Sequence, residues 1–358
     1  MEKEKNIKEL EEELSYSSNK AIESPEDFTW SNELRSCADL YRMYQNKQLE
    51  IQPEFQRYFV WKPTVQTRFI DSLMKQLPIP SLFIGKDYKT ENQIVIDGQQ
   101  RISTIVKFFE DKKWRLKLPD IDVKKSGIMV SEIKQKFPGL YARVENATIP
   151  VTFVRCDFSK QSHMDDLFKI FNRLNTGGLK LNNQEIRNCI FSGGFNNLLR
   201  EVAFSEQWKN SMGKTSKVNR FENEEIILRT FAFNEKLDDY DGNLARFLNR
   251  YMAEKKDIPE SEIQEKRNIL FTALSFIYDN LDEPEKVHKL GKTVKEGLLV
   301  GISQNITGLI SKSKDEFQSM YANFRNDDEF SENKLKQGLS KKENVQPRLR
   351  KSISIFGS

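Results

Sequence analysis

Between Thr64 and Leu77, apolar residues recur at Val65, Phe69, Ile70, Leu73, Met74 and Leu77, the spacing of an amphipathic helix. Pro63 suits its first turn, and Pro78 and Pro80 close it. Ser81–Ile84 and Gln93–Ile96 are short apolar runs separated by Lys89-Thr90-Glu91-Asn92, which predicts two strands joined by a polar turn. A helix is predicted at once afterwards, from Gln99 to Phe109, with Ile102, Ile105, Val106 and Phe109 on one face. Beyond an irregular Lys-rich stretch from Lys112 to Gly127, the alternation of Ile149, Val151 and Phe153 predicts a half-buried strand. Met164, Leu167, Phe168, Phe171 and Leu174 then share a helical face that should end at Gly177-Gly178, where glycine supplies a left-handed cap. Asn182 and Glu185 have the spacing of a capping box for the next helix.

From about Asn196 onward every periodic segment reads as helix, including Glu224–Phe233, Leu244–Glu254, Asn268–Asn280 and Glu296–Ser311. No internal repeat interrupts this order. The pattern predicts an α+β protein. A charged extension over 1–24, read as a solvated or frayed helix, precedes a mixed α/β domain over 25–192; a helical domain over 193–333 and a basic segment over 334–358 follow.

Composition narrows the class. With 358 residues, 37% hydrophobic and 31% charged, the chain has the make-up of a globular protein with one large core or two smaller ones. No stretch approaches the roughly 20 apolar residues of a membrane span, and the Glu- and Lys-rich N-terminus has no apolar signal segment, so a cytoplasmic protein without a membrane partner is expected. Cys37, Cys156 and Cys189 form no CxxC pair, which fits buried thiols in a reducing compartment and argues against structural zinc. His163 and His288 lack neighbouring His, Asp or Asn patterns and read as surface residues.

Net charge is +4, but residues 334–358 alone carry seven Lys or Arg and one Glu. The remaining chain is therefore slightly acidic, and any bulk attraction to DNA belongs to the C-terminal end, with Lys341, Lys342, Arg348, Arg350 and Lys351 as the candidate contacts. A solvated basic tail is the plainer alternative.

Three polar clusters interrupt the scaffold. Asp97-Gly98-Gln99-Gln100-Arg101 lies where a strand turns into a helix. A helix start offers amide groups and partial positive charge to a phosphate, and Gly98 lets the backbone come close. Arg101 adds a charged fork, Gln99 or Gln100 could orient a water, and Asp97 could hold Mg2+ or accept a proton. Equally, Asp97 could cap the helix and the next side chains form a solvated first turn. The second cluster, Pro53-Glu54-Phe55-Gln56-Arg57 with Val60-Trp61, could be a loop packing its aromatics on the core. The third runs from Phe171-Asn172-Arg173-Leu174-Asn175-Thr176-Gly177-Gly178 into Asn182-Asn183-Gln184-Glu185-Ile186-Arg187-Asn188, where cap chemistry explains much of the pattern.

Taken in order, the Pro53–Trp61 cluster, Ile79-Pro80, Ile96-Asp97-Gly98-Gln99-Gln100-Arg101-Ile102-Ser103-Thr104 and Phe171–Gly178 resemble the signature blocks of the GmrSD restriction endonuclease N-terminal domain family. Ile226–Phe233, Phe247-Leu248-Asn249 and Arg348–Phe356 are similar to segments of its stand-alone members. The resemblance implies a ParB/sulfiredoxin-like N-terminal fold and a place in anti-phage restriction, with a nucleoside triphosphate or phosphodiester handled at the Asp-Gly-Gln-Gln-Arg block. It implies that Asp97, Gln99, Gln100 and Arg101 do the chemistry, with Gly98, Gln56, Arg57, Asn172, Arg173 and Asn175 around the phosphates. Such enzymes usually continue into an HNH nuclease domain, which needs histidine at a metal; with only His163 and His288 present, a stand-alone member that relies on a partner nuclease is expected.

Two activities remain open. In one, the pocket hydrolyses nucleotide with Mg2+, Asp97 or Glu185 serving as base. In the other, it binds nucleotide or modified DNA and signals to a nuclease. No Gly-rich loop ending in Lys-Ser/Thr is present, which excludes a P-loop enzyme.

Overall fold

Apolar alternation and amphipathic periodicity resolve, in a computed structural model, into a mixed sheet with helices on its faces and a separate set of packed helices. The structure describes residues 29–51, 61–118, 127–174, 182–213, 221–335 and 338–358. The expected helix over 1–24, the Pro53–Val60 part of the second cluster and the Gly177-Gly178 cap lie outside the described residues, as do the side chains of Asn172 and Cys189. Contacts divide the chain into two units at Leu181/Asn182, one spanning 22–181 and the other built from 182–358.

The first unit comprises β1 (Thr29–Ser36), α1 (Cys37–Gln45), β2 (Leu49–Glu50), α2 (Pro63–Met74), β3 (Leu82–Asp87), β4 (Gln93–Asp97), α3 (Gln99–Glu110), β5 (Arg115–Leu116), β6 (Ile128–Met129), α4 (Val130–Lys136), α5 (Pro138–Asn146), β7 (Thr148–Cys156) and α6 (Gln161–Leu174). The five-stranded sheet has the order β1-β7-β3-β4-β2. β1 is antiparallel to β7, β7 parallel to β3, β3 antiparallel to β4 and β4 parallel to β2. The sheet is thus mixed, and its parallel pair β3/β7 is joined by the crossover that contains α3. Ile84, Val95, Val151 and Phe153 join one core with Leu40 and Met43 of α1, Ile70 and Leu73 of α2, Ile102 and Ile105 of α3 and Tyr141 and Val144 of α5. Across β4 and β7 packs α6, with Met164, Leu167 and Phe168 buried.

Local rules explain where α2 ends. Gln76 takes a left-handed φ of 55°, the Gln76 amide donates to Leu73 O at 3.1 Å and the Leu77 amide donates to Ser72 O at 2.9 Å. These are the paired bonds of a Schellman cap, formed here on a glutamine, and they stop the helix at Met74 and leave Leu77 exposed. Val65, expected on the apolar face, is also exposed.

His163 is buried rather than on the surface: it opens α6 and its Nδ1 accepts the Asp157 amide at 2.9 Å, which ties the helix start to the end of β7. His288 is exposed. Cys37 and Cys156 are buried free thiols, both pushed up to about 12 by burial.

The second unit is formed by α7 (Asn183–Ile190), α8 (Gly194–Phe204), α9 (Glu206–Met212), α10 (Glu222–Lys236), α11 (Leu244–Lys255), α12 (Glu260–Asn280), α13 (Glu285–His288), α14 (Lys292–Leu309), α15 (Lys314–Asn326), α16 (Glu332–Leu335) and α17 (Lys342–Phe356). The capping box forms as spaced: Asn182 accepts the Glu185 amide at 2.8 Å and Glu185 accepts the Asn182 amide at 2.7 Å. Asn182–Asn188 serves this helical unit, since Arg187 donates to Asn249 at 2.9 Å and pairs with Glu225 at 3.3 Å. Glu225 also meets Arg229 at 2.7 Å and Lys292 at 2.5 Å. Burial works against its charge, yet Lys292, Arg229 and Arg187 hold the carboxyl well below its usual range.

The basic segment is not a free tail. α17 packs on α14, where a Cβ at Gly301 would lie 2.3 Å from Ser352 Oγ, so only glycine allows this approach. Arg348, expected to contact DNA, is buried and pairs with Glu296 at 3.5 Å, which removes it from any duplex surface. Arg350 pairs with Asp238 at 2.6 Å and Lys351 with Asp327 at 3.3 Å, while Lys341 and Lys342 are exposed at the start of α17.

Candidate functional site

β4 delivers Asp97 to the corner where the chain turns into α3. Gly98 makes that turn with φ 99°, a conformation that side chains disfavour, and an added Cβ would sit 2.2 Å from Leu82 Cδ2. Glycine is therefore required first by the turn itself. No side chain caps α3, so Asp97 is not its cap.

Asp97 instead faces Arg101, with Nη2 donating to Oδ2 at 2.7 Å. The Arg101 side chain is only 12% exposed, against 40% for Asp97. Its Nη1 donates to the carbonyls of Pro80 and Ser81, the latter at 3.1 Å. Burial lowers the affinity of Arg101 for its proton and Asp97 opposes that effect. An outward fork free for phosphate was expected; the fork is instead spent on the segment leading into β3.

The two glutamines diverge. Gln99 is buried and its Nε2 donates to Val95 O at 3.2 Å, so it faces the interior rather than a surface water. Gln100 Oε1 accepts the Trp61 amide at 3.2 Å, and Gln66 Nε2 donates to the Trp61 carbonyl at 2.8 Å. Lys107 donates to Gln66 Oε1 at 3.0 Å and lies 4.4 Å from the Trp114 ring centre. Both peptide groups of Trp61 are thereby held by glutamine side chains of α2 and α3. The second cluster thus reaches the Asp97 corner through Trp61. Gln56 and Arg57 themselves lie outside the described residues.

The third cluster divides. Arg173 is exposed in the last turn of α6, whose packing on β4 places it in the same unit as Asp97, but no described contact joins it to Asp97 or Arg101. Asn175 lies outside the described residues. Glu185 is fully buried and committed to its cap. Among the described residues, no three His, Cys, Asp or Glu side chains gather as a metal cage, and no helix is long and apolar enough to cross a membrane. Gln66 and Lys107 escaped the sequence reading, because a glutamine on the core side of an amphipathic helix and a lysine in mid-helix carry no local signal.

No curated protein and no solved structure matches the chain. Residues 37–192 match the family model described as GmrSD restriction endonuclease, N-terminal domain, a span that includes the Asp97–Arg101 corner and Trp61, and the chain therefore carries a domain of that family.

Proposed function

We propose that this chain is a phosphate-handling module of a restriction-type defence system that acts on DNA, with a nucleoside triphosphate engaged at the Asp97 corner. The observation that carries the reading is the half-exposed Asp97 carboxylate, fixed by a largely covered arginine at the point where a strand ends and an uncapped helix begins. One oxygen is held by Arg101, which leaves the other to face a ligand. A single open carboxylate oxygen suits a magnesium ion that arrives with a polyphosphate better than a resident protein cage. When bound, that ion would neutralise the phosphates.

The chain's own residues orient and restrain. Arg101 fixes the Asp97 carboxylate; the first amides of α3 favour negative charge; Gln100 and Gln66 hold the Trp61 backbone beside them. Hydrolysis asks Asp97 to serve both metal and water, since Glu185 is committed elsewhere. Nucleotide or modified-DNA binding that regulates a partner nuclease asks only the first of these, and this is the second reading.

Incubation of the protein with each of the four ribonucleoside triphosphates and Mg2+, with and without phage DNA, separates the two by phosphate release against equilibrium binding. Asp97→Asn should abolish release in the first case and Mg2+-dependent binding in the second. Neither release nor binding of any of the four would overturn the nucleotide assignment.

A further inference from the structure

In the first unit, exposed cations alternate with buried apolar residues along Lys113-Trp114-Arg115-Leu116-Lys117-Leu118. Trp114, Leu116 and Leu118 enter the core, so Lys113, Arg115 and Lys117 face outward. The backbone beneath them is pinned. Arg115 and Leu116 pair with Met129 and Ile128, the Val130 amide donates to Trp114 O at 3.0 Å, and the Ser131 amide donates to Lys112 O at 3.1 Å. α4 follows directly and adds Lys134, whose ammonium lies 4.9 Å from the Tyr141 ring centre and repels that of Lys112.

These cations differ from those of the C-terminal segment. Among the described residues, Lys112, Lys113, Arg115, Lys117 and Lys134 form no ion pair, although Lys136 meets Glu132 at 3.5 Å. By contrast Arg348, Arg350 and Lys351 are each spent on a carboxylate. Glu132 lies near Arg115 and Glu145 near Lys112, but neither closes an ion pair with them, and a rigid array in which cations outnumber carboxylates is a surface suited to meet a polyanion.

We propose that the β5/β6 ribbon, through Lys113, Arg115 and Lys117, docks the sugar-phosphate backbone of duplex DNA. This rests on the reading that the chain acts on DNA, and moves the contact from the C-terminal segment to the unit that holds Asp97. Outward residues on a strand stand about 6.7 Å apart, so the three cations span about 13 Å, the axial length of about four base pairs. Contacts of this kind position a duplex without reading its sequence.

The test is fluorescence anisotropy of the full chain with a short labelled DNA duplex across a salt series, with circular dichroism of every variant. Lys113→Gln with Lys117→Gln leaves the Arg115 bond to Gly127 O intact, so it guards against misfolding. Three phosphate contacts contribute up to about 2.7 to the logarithmic salt slope, hence about 40-fold of weakening for a fourfold rise in salt. The double variant should remove about two-thirds of that slope and the added Arg115→Gln the rest, while Lys341→Gln with Lys342→Gln changes neither affinity nor slope. Unchanged slope and affinity in the folded ribbon variants would overturn the docking surface and leave the DNA reading standing. Failure of the wild type to bind duplex DNA would overturn both, and tighter binding of polyglutamate or of RNA of equal length would assign the ribbon to another polyanion.

Discussion

Arg101 Nη2 donates to Asp97 Oδ2 at 2.7 Å while Nη1 of the same guanidinium holds the backbone carbonyls of Pro80 and Ser81. One side chain thus joins the end of β4, the start of α3 and the entry to β3. Arg101→Ala should therefore cost about 1 to 3 kcal/mol of stability, since it removes the donor shared by two carbonyls and a carboxylate. Arg101→Lys, which keeps the charge but not the fork, should recover part of that loss. Urea unfolding measures it; a midpoint unchanged in Arg101→Ala would mean that the fork is dispensable to the fold.

Gly98→Ala forces a methyl toward Leu82 at a positive φ. The strained backbone and the overpacking together should cost about 2 to 4 kcal/mol. Gly98→Ala with Leu82→Ala should relieve the steric part, so the double variant should lose less than the sum of the single losses. Strict additivity in thermal unfolding would show that Leu82 does not set the constraint.

The glutamine clamp on Trp61 separates two roles for Gln100. Gln100→Glu keeps an acceptor for the Trp61 amide and loses the amide donor, whereas Gln66→Glu keeps Lys107 but loses its donor to the Trp61 carbonyl. If the clamp matters by position, Gln66→Glu should speed amide exchange around Trp61 and weaken nucleotide binding about tenfold, the loss of one buried hydrogen bond. Gln100→Glu should leave exchange unchanged. The reverse order of effects would make Gln100 a direct ligand group.

Acid should weaken the first unit through Asp157. Burial disfavours its charge, but Lys89 at 2.8 Å and the Ser159 amide at 2.9 Å hold the carboxyl well below the usual range. A depressed carboxyl gives stability that is present above the unfolded value near 4 and is lost as pH falls below it, because the unfolded chain takes up the proton first. The thermal midpoint should drop between pH 5 and pH 3, and Asp157→Asn should flatten that drop. Parallel pH profiles for wild type and variant would exclude Asp157 as a source.

What the sequence made legible was local. The Asn182–Glu185 box, the turn at Gly98 and the α3 face are set by residues within a few positions of one another. β1 escaped because an edge strand, with Trp30 and Leu34 exposed, has no buried face to impose alternation. Arg101, His163 and Arg348 were placed on the surface by their polarity, but each turns inward to partners that the local pattern does not reveal: Pro80 and Ser81, the end of β7, and Glu296. The site was legible as a place, the corner at Asp97, and not as a set of roles, because Gln99 and Arg101 turn inward.

The seating of α17 on α14 through Gly301 and Ser352 also sets an order of events during synthesis. Phe356 is buried in the helical core, so that core stays open until residues 342–356 have left the ribosome. The sheet unit closes on contacts made before Leu181 and so can fold while the helices are still being translated. A ribosome stalled near residue 340 should accordingly carry a protease-resistant sheet unit and a cleavable helical one.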